Sequence, residues 1–472
     1  MQQAKPSKTL LRAGAAMIDV TPPAGTHLGG TWGTLRRAET LADRLYARAL
    51  VVEQGGRTLC YVTADLEIVT ERWATLIRRE IQTRCGIPVA DCMVSLPQIH
   101  SVPPLGNFLL GDEMPNVPPE HEYLRGSQTP YCELAAAAMI EAAVQAFQKL
   151  EPVEMAHGRA LRDDLAFNRR GIRRDGTVCM PWLFSSQETP LGPTDILCLE
   201  GPMDPEVGVV TFTNQAHQIV ACLLHYTCHP VNVFARTAHV LSADWPGAWS
   251  SGVQAAVGAQ CVPLVVNGCC GNINPWPSFD PDFHPDHRRM GRELTKTTRA
   301  ILKTLKPVPV EGISAGVRIL QMPLKVAAAE DRRAAEAMLE AFPQPKWQEK
   351  NPKQVEWEWM DAALLISVEQ EREKSPDYSY EIQVFKIGPV ALIGLPGEPF
   401  VEGQLAIKSD SPAALNLVAH CANSYAGYIA PRAAYARGGH EIRDKPAQWA
   451  KVAPGGLERL VAATTELLKE LP

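Results

Sequence analysis

The hydrophobic pattern switches between two periods along the chain. Short, β-branched apolar runs bounded by turn residues predict strands at 49–54 (ALVVEQ), 58–66 (TLCYVTADL), 93–98 (MVSLPQ), 208–214 (GVVTFTN), 219–227 (IVACLLHYT) and 261–266 (CVPLVV). A short alternating strand precedes the Thr-Pro-Pro turn at 21–23. The longer helical period predicts helices over 71–84, 130–150, 246–257 and 287–306. The stretch 107–128 is rich in Pro, Asn and Glu and reads as a long irregular loop, of the kind that walls a substrate site. A second region opens at 312, with helices at 328–341 and 347–372. A hairpin turning at Gly388-Pro389, a helix starting near Phe400, a strand at 416–421 and a closing helix at 457–470 follow. The opening order strand, strand, helix, strand predicts an α/β fold built on a large mixed sheet. Residues 1–310 are expected to form an N-terminal core and 311–472 a C-terminal part of the same unit. No internal repeat and no linker separates them.

Composition narrows the function classes. The 472 residues are 46% hydrophobic and 21% charged, as in ordinary globular enzymes. A net charge of -6 gives no electrostatic case for nucleic acid. No apolar run approaches the roughly 20 residues of a membrane helix, and the first residues carry no signal-peptide core. A cytoplasmic location is the expectation. Twelve cysteines without a CxxC pair read as small buried hydrophobes in a reducing compartment. Cys269-Cys270 stands apart because it sits in a Gly-rich loop.

The chemistry-bearing residues cluster where predicted strands end. The run from Ile219 carries His225 and His229 to Pro230, and His239 and Asp244 follow before Pro246-Gly247. For His225, inside the apolar run, a core histidine is the favoured reading. For His229, at the strand end, a metal ligand is favoured, since zinc takes neutral imidazole nitrogen together with carboxylate oxygen. Gln98-Ile99-His100 leaves another strand at a Pro- and Gly-rich corner. Glu398 is held between Gly397 and Pro399. Arg169, Arg170, Arg173 and Arg174 form either a solvated turn or an anion-binding loop. The loop NGCCGNINP offers turns with exposed N–H groups.

Together these corners resemble the neutral, non-lysosomal ceramidase family, in order from about residue 13 to 441. The motifs are AGAAMIDVTPPAG, LPQIHSVPPLG, LAFNRR, CHPVNV with SADWPG, NGCCGNINP, LPGEPF and SYAGYIAP. The resemblance implies that family's catalytic-domain fold, without its C-terminal immunoglobulin-like domain. It also implies one zinc ion bound by two His, one Glu and one Tyr, and hydrolysis of the amide of an N-acylated lipid base. Position by position, His229 matches the second His, Glu398 the Glu and Tyr428 the Tyr. The first His falls on Gln98, and His100 matches the neighbouring active-site His. The family's loop serine falls on Asn274 and its Asp on Asn272, and asparagine is no nucleophile. His440 stands where the family has a tyrosine, before Glu441.

The expectation is a zinc-dependent hydrolase of an amide or ester in a small or acylated substrate. Its metal would be held by His229, Glu398 and Tyr428 with His100 or Gln98, and would supply hydroxide at neutral pH. His100, Asp244 and His440 are candidates for proton transfer. Arg169, Asn272, Asn274 and Tyr425 are candidates for holding the substrate's polar end. The alternatives are a lyase or glycoside-cleaving enzyme on the same scaffold, or a binding protein with a degenerate metal site.

Overall fold

The structure is a computed structural model and describes residues 10–181, 195–234, 238–280 and 282–472. Strands β1 (Arg12–Asp19), β2 (Tyr46–Gln54) and β3 (Arg57–Ala64) form an antiparallel meander. Helix α1 (Glu71–Cys85) then carries the chain to β4 (Cys92–Ser95), which runs parallel to β3. Helix α2 (Thr129–Gln148) precedes β5 (Glu151–Leu161), β6 (Glu206–Asn214) and β7 (Ile219–Tyr226). Helix α3 (Asp244–Val257) leads to β8 (Val262–Asn267), parallel to β7, and α4 (His287–Leu302) follows. The sheet order is β8-β7-β6-β5-β1-β2-β3-β4, so each edge is a parallel pair.

A second, four-stranded sheet comprises β9 (Ile313–Pro323), β10 (Asp377–Ile387), β11 (Val390–Gly394) and β12 (Leu415–Ala419), with β11 and β12 parallel. The two sheets pack face to face through one apolar cluster. Leu50, Val52, Tyr61, Met93, Phe212, Leu223 and Leu264 meet Phe385, Leu392, Leu417 and Ala419 there. Helices α1 and α2 cover the outer face of the first sheet at one end, and α3 and α4 at the other. Helices α7 (Val401–Asp410) and α8 (Gly456–Glu470) cover the second sheet. The result is four layers, helix–sheet–sheet–helix. Strands covered on both faces must be apolar on both, which is why β2, β4, β8 and β12 read as continuous runs.

Helix α5 (Ala329–Ala341) lies close to its expected position, but α6 is Trp357–Lys374, starting ten residues later than the 347 read from sequence. The intervening residues form a turn closed by a bridge between Trp347 and Val355. Pro352 lacks the N–H and clashes with the preceding turn, so the helix starts beyond it. The irregular stretch at 107–128 is as expected, apart from a short 3-10 turn at Pro119–Arg125. Nine of the twelve cysteines are buried. No helix among the described residues is long and apolar enough to cross a membrane.

Candidate active site

Loops leaving β4, β7, β8, β11 and β12 converge on a single cavity of about 250 Å³. The parallel strands of both sheets therefore deliver their C-terminal ends to one place, the usual location of an α/β site. Asn267, the last residue of β8, ties these ends together. Its amide donates to the carbonyls of Pro97 (2.8 Å) and Cys228 (2.9 Å), and its oxygen accepts from Cys228 N–H (3.1 Å). One side chain thus fixes the loops that carry Gln98 and His229.

His229 is fully buried. Its Nδ1 donates to the Ile273 carbonyl (3.1 Å), which leaves Nε2 as the lone-pair nitrogen. That Nε2 lies 3.1 Å from Glu398 Oε2. Burial pulls the His229 pKa down, with the Arg169 charge acting the same way and the Glu398 carboxylate opposing them. Burial pushes the Glu398 pKa up, but His229, the Tyr425 hydroxyl (2.6 Å from Oε1) and a hydrogen bond from Gln98 outweigh it and hold the carboxyl at about 2. Glu398 and Tyr428 are register partners in a short parallel bridge, so strand pairing alone sets them side by side. Gly397 permits this approach. It has φ +71°, and a Cβ there would collide with the Gly427 carbonyl.

His100 borders the same cavity, its ring centroid 5.5 Å from that of His229. Its Nδ1 donates to the Gln98 carbonyl (3.0 Å), so Nε2 is again the free nitrogen. Burial, reinforced by His229, pulls its pKa down to about 3. Arg169 spans the cavity floor. Nε donates to Glu441 Oε1 (2.7 Å), Nη1 to Asn274 Oδ1 (3.2 Å), and Nη2 to the Gly271 carbonyl (2.7 Å) and the Tyr428 hydroxyl (3.2 Å). His440 stands at the mouth, its ring 5.9 Å from Tyr428. The walls are apolar and mostly aromatic: Trp32, Phe108, Phe234, Trp276 and Trp449.

Three expectations are corrected. Asp244 does not reach the cavity. Its carboxylate accepts from Trp245 N–H (2.7 Å), Val233 N–H (2.8 Å) and Asn232 (3.1 Å), which pins the 232–233 loop to the start of α3 and leaves no proton-transfer role. Asn272 also points away. It donates to Glu402 (2.9 Å) and accepts from Val401 N–H (3.0 Å), so it anchors α7 rather than a substrate. Gln98 does line the cavity, but its amide N–H bonds Glu398 and its oxygen lies 3.9 Å from the Cys270 thiol, so it steadies the carboxylate instead of offering a metal donor. Its backbone sits at φ +63°, a strained conformation for a non-glycine residue.

The arginine cluster divides. Arg169 and Arg170 are buried and share Glu441, while Arg173 and Arg174 lie nearer the surface. His225 is a core residue, as expected. Cys269 and Cys270 are fully buried behind the site, and burial raises both thiols.

Glu67 and His420 escaped the sequence reading. Glu67 follows β3 and lines the cavity. Its Oε1 accepts from Gly30 N–H (2.8 Å), and burial pushes its pKa up to about 8. His420 lies behind Gln98, its Nδ1 3.7 Å from the Cys270 thiol. Each is one polar residue in an apolar run, with no local spacing to mark it. Gly29 packs so closely on Glu67 that an added Cβ would fall on the carboxylate. Gly29→Ala is expected to cost about 1–3 kcal/mol by overpacking, read as a lowered urea midpoint at unchanged slope.

No protein-family model matches the chain, and no curated protein gives a significant match. Solved structures do match. The neutral ceramidase from Pseudomonas aeruginosa superposes with a TM-score of 0.70, over 98% of this chain and 74% of that one, at 17% identity. A ceramidase solved in complex with C2 superposes with a TM-score of 0.69, over 98% and 75%, at 16% identity. The chain has the neutral-ceramidase fold. The order of motifs that resembled this family is therefore borne out as fold. His229, Glu398 and Tyr428 lie close together: His229 is 3.1 Å from Glu398, which pairs in register with Tyr428.

Proposed function

We propose that the cavity is the active site of a metal-dependent hydrolase that cleaves an amide or ester bond in a small or acylated substrate. One observation carries this reading. With Nδ1 committed to Ile273, the His229 Nε2 lone pair faces an ionised Glu398 oxygen at 3.1 Å. At that separation the two atoms share either a proton or a metal cation, and burial together with the Arg169 charge works against the proton. Among the described residues no three His, Cys, Asp or Glu side chains converge as a ligand set. The third donor is of another type, the Tyr428 phenol, whose register pairing with Glu398 sets it beside that carboxylate. Imidazole, carboxylate and phenol suit zinc. When bound there, zinc would supply Lewis acidity toward water and the scissile carbonyl.

The remaining steps belong to the chain. His100, neutral and oriented by the Gln98 carbonyl, accepts a proton at Nε2. Arg169, fixed by four acceptors, and the amide N–H groups of Asn274 stabilise negative charge as it develops on the substrate oxygen. Tyr425 holds Glu398 in place. The aromatic walls exclude water and take an apolar acyl or aryl group, and a cavity of about 250 Å³ limits how much of it is enclosed. The ceramidase names of the structural neighbours support an amide as the bond broken.

Elemental analysis of the purified protein is expected to find about one zinc per chain. A chelator should abolish turnover of short-chain N-acyl amides or esters, and added zinc should restore it. Full turnover by metal-free protein would reject the proposal.

A further inference from the structure

A strongly basic groove lies outside the active site. A groove of about 660 Å³ runs between α3, α4 and the segment leading into β2. Arg44, Arg48, Arg288, Arg292, Lys296 and Arg299 line it, against a single acid, Asp43. The whole chain carries -6, and although Arg44 and Arg48 are paired with Asp19 and Asp65 beside the groove, the four bases on α4 still make a local reversal of sign.

Its geometry is built rather than scattered. Arg288, Arg292, Lys296 and Arg299 are exposed and recur at three- and four-residue spacing along one face of α4. They form a row about 16 Å long at 1.5 Å per residue. The floor is the small-residue side of α3, where the helices meet closely: a Cβ on Gly291 would come within 2.5 Å of the Ala248 Cβ. The side chains of Arg288 and Arg299 carry no ion pair or hydrogen bond among the described residues. Arg292 and Lys296 meet acids only at 3.9 and 4.0 Å. Arg48, 5% exposed, forms the inner end. One of its Nη groups is held by Asp65 (2.7 Å), while its buried Nε–H has no partner among the described residues.

We infer that this groove binds a soluble compound bearing several phosphate groups along its length. Guanidinium forks match phosphate oxygens in pairs, and a row of them favours an extended polyanion over a single phosphate. The basic side chains line a groove recessed between two helices rather than a flat or protruding face, which favours a free polyphosphate over a bilayer surface.

Calorimetric titration of the full-length protein with sodium tripolyphosphate tests this, alongside Arg288→Glu/Arg299→Glu and the milder Arg288→Gln/Arg299→Gln pair. Both substitutions fall on exposed helix positions, and circular dichroism checks that the fold is kept. Wild type is expected to bind tripolyphosphate at one site, weakening strongly as salt rises from 50 to 200 mM. The Glu pair should weaken binding at least 10-fold, with the Gln pair intermediate. Equal binding by wild type and both folded variants would overturn the inference, as would inorganic phosphate matching tripolyphosphate. Sedimentation of wild type with phosphatidylglycerol vesicles, with no saturable tripolyphosphate heat, would overturn it in favour of an anionic membrane surface.

Discussion

His229→Ala is expected to remove the metal and to lower turnover by at least on the order of 10³-fold, since the Lewis acid goes with it. The imidazole contributes the nitrogen 3.1 Å from Glu398 Oε2, and the phenol and carboxylate left behind are too few for a structural or catalytic zinc site. Zinc per chain should fall from about one to a trace. The substitution also leaves Glu398 buried with only Tyr425 and Gln98 against its charge, so stability should drop with activity. Activity loss alone therefore does not identify the cause. His100→Ala separates the effects: it should retain metal and stability yet lose turnover, because it deletes the proton acceptor and leaves the His229–Glu398 pair intact. If His229→Ala kept both zinc and turnover, the assigned centre would be wrong.

Most of the scaffold was legible because the physics behind it is local. Apolar runs flanked by Gly and Pro marked the strands of both sheets, and amphipathic spacing marked α1, α2, α4 and α8. The face-to-face stacking of the sheets was not legible. Strands buried on both sides look alike whether a helix or another sheet covers them, so Phe385 and Leu417 gave no hint of Leu50 and Leu223 opposite. The late start of α6 was a missed breaker, Pro352, inside a charged stretch with no caps to weigh against it.

The site divides in the same way. His229, Glu398, Tyr428, Arg169, Asn274 and Tyr425 could be singled out because each sits at an element end in an ordered set of motifs, and the structure gathers them in or beside one cavity. Asp244 and Asn272 were misread for a specific reason. Both are polar residues beside the right loops, but polar side chains at such corners are as often spent on backbone N–H groups as on ligands. Here Val233, Trp245 and Val401 take them. Asn267 and Glu67 could not be found from spacing, since their importance lies in partners far away in sequence: Pro97 for Asn267, Gly30 for Glu67.

Glu441 tests how far the site depends on its foundation. Its two oxygens bond Arg169 Nε at 2.7 Å and Arg170 Nη1 at 2.6 Å, and all three side chains are at most 7% exposed. Burial alone would raise the Glu441 pKa, but the two guanidinium groups hold it at about 2. A carboxyl whose folded pKa lies below its unfolded value of about 4.5 contributes stability that is complete above that value and lost as pH falls toward 2. Glu441→Gln removes the shared anion and leaves Arg169 without a carboxylate, while Arg170 retains Glu200. The expected cost at pH 7 is about 3–5 kcal/mol, the range for breaking a buried ion pair. Because the variant has already lost this contribution, its urea midpoint should fall less steeply than that of wild type between pH 5 and pH 3. Turnover should fall as well, since Arg169 is aimed at Asn274 and Tyr428 by that same carboxylate. Parallel acid sensitivity in the two proteins would mean that Glu441 is not the charge on which the buried arginines rest.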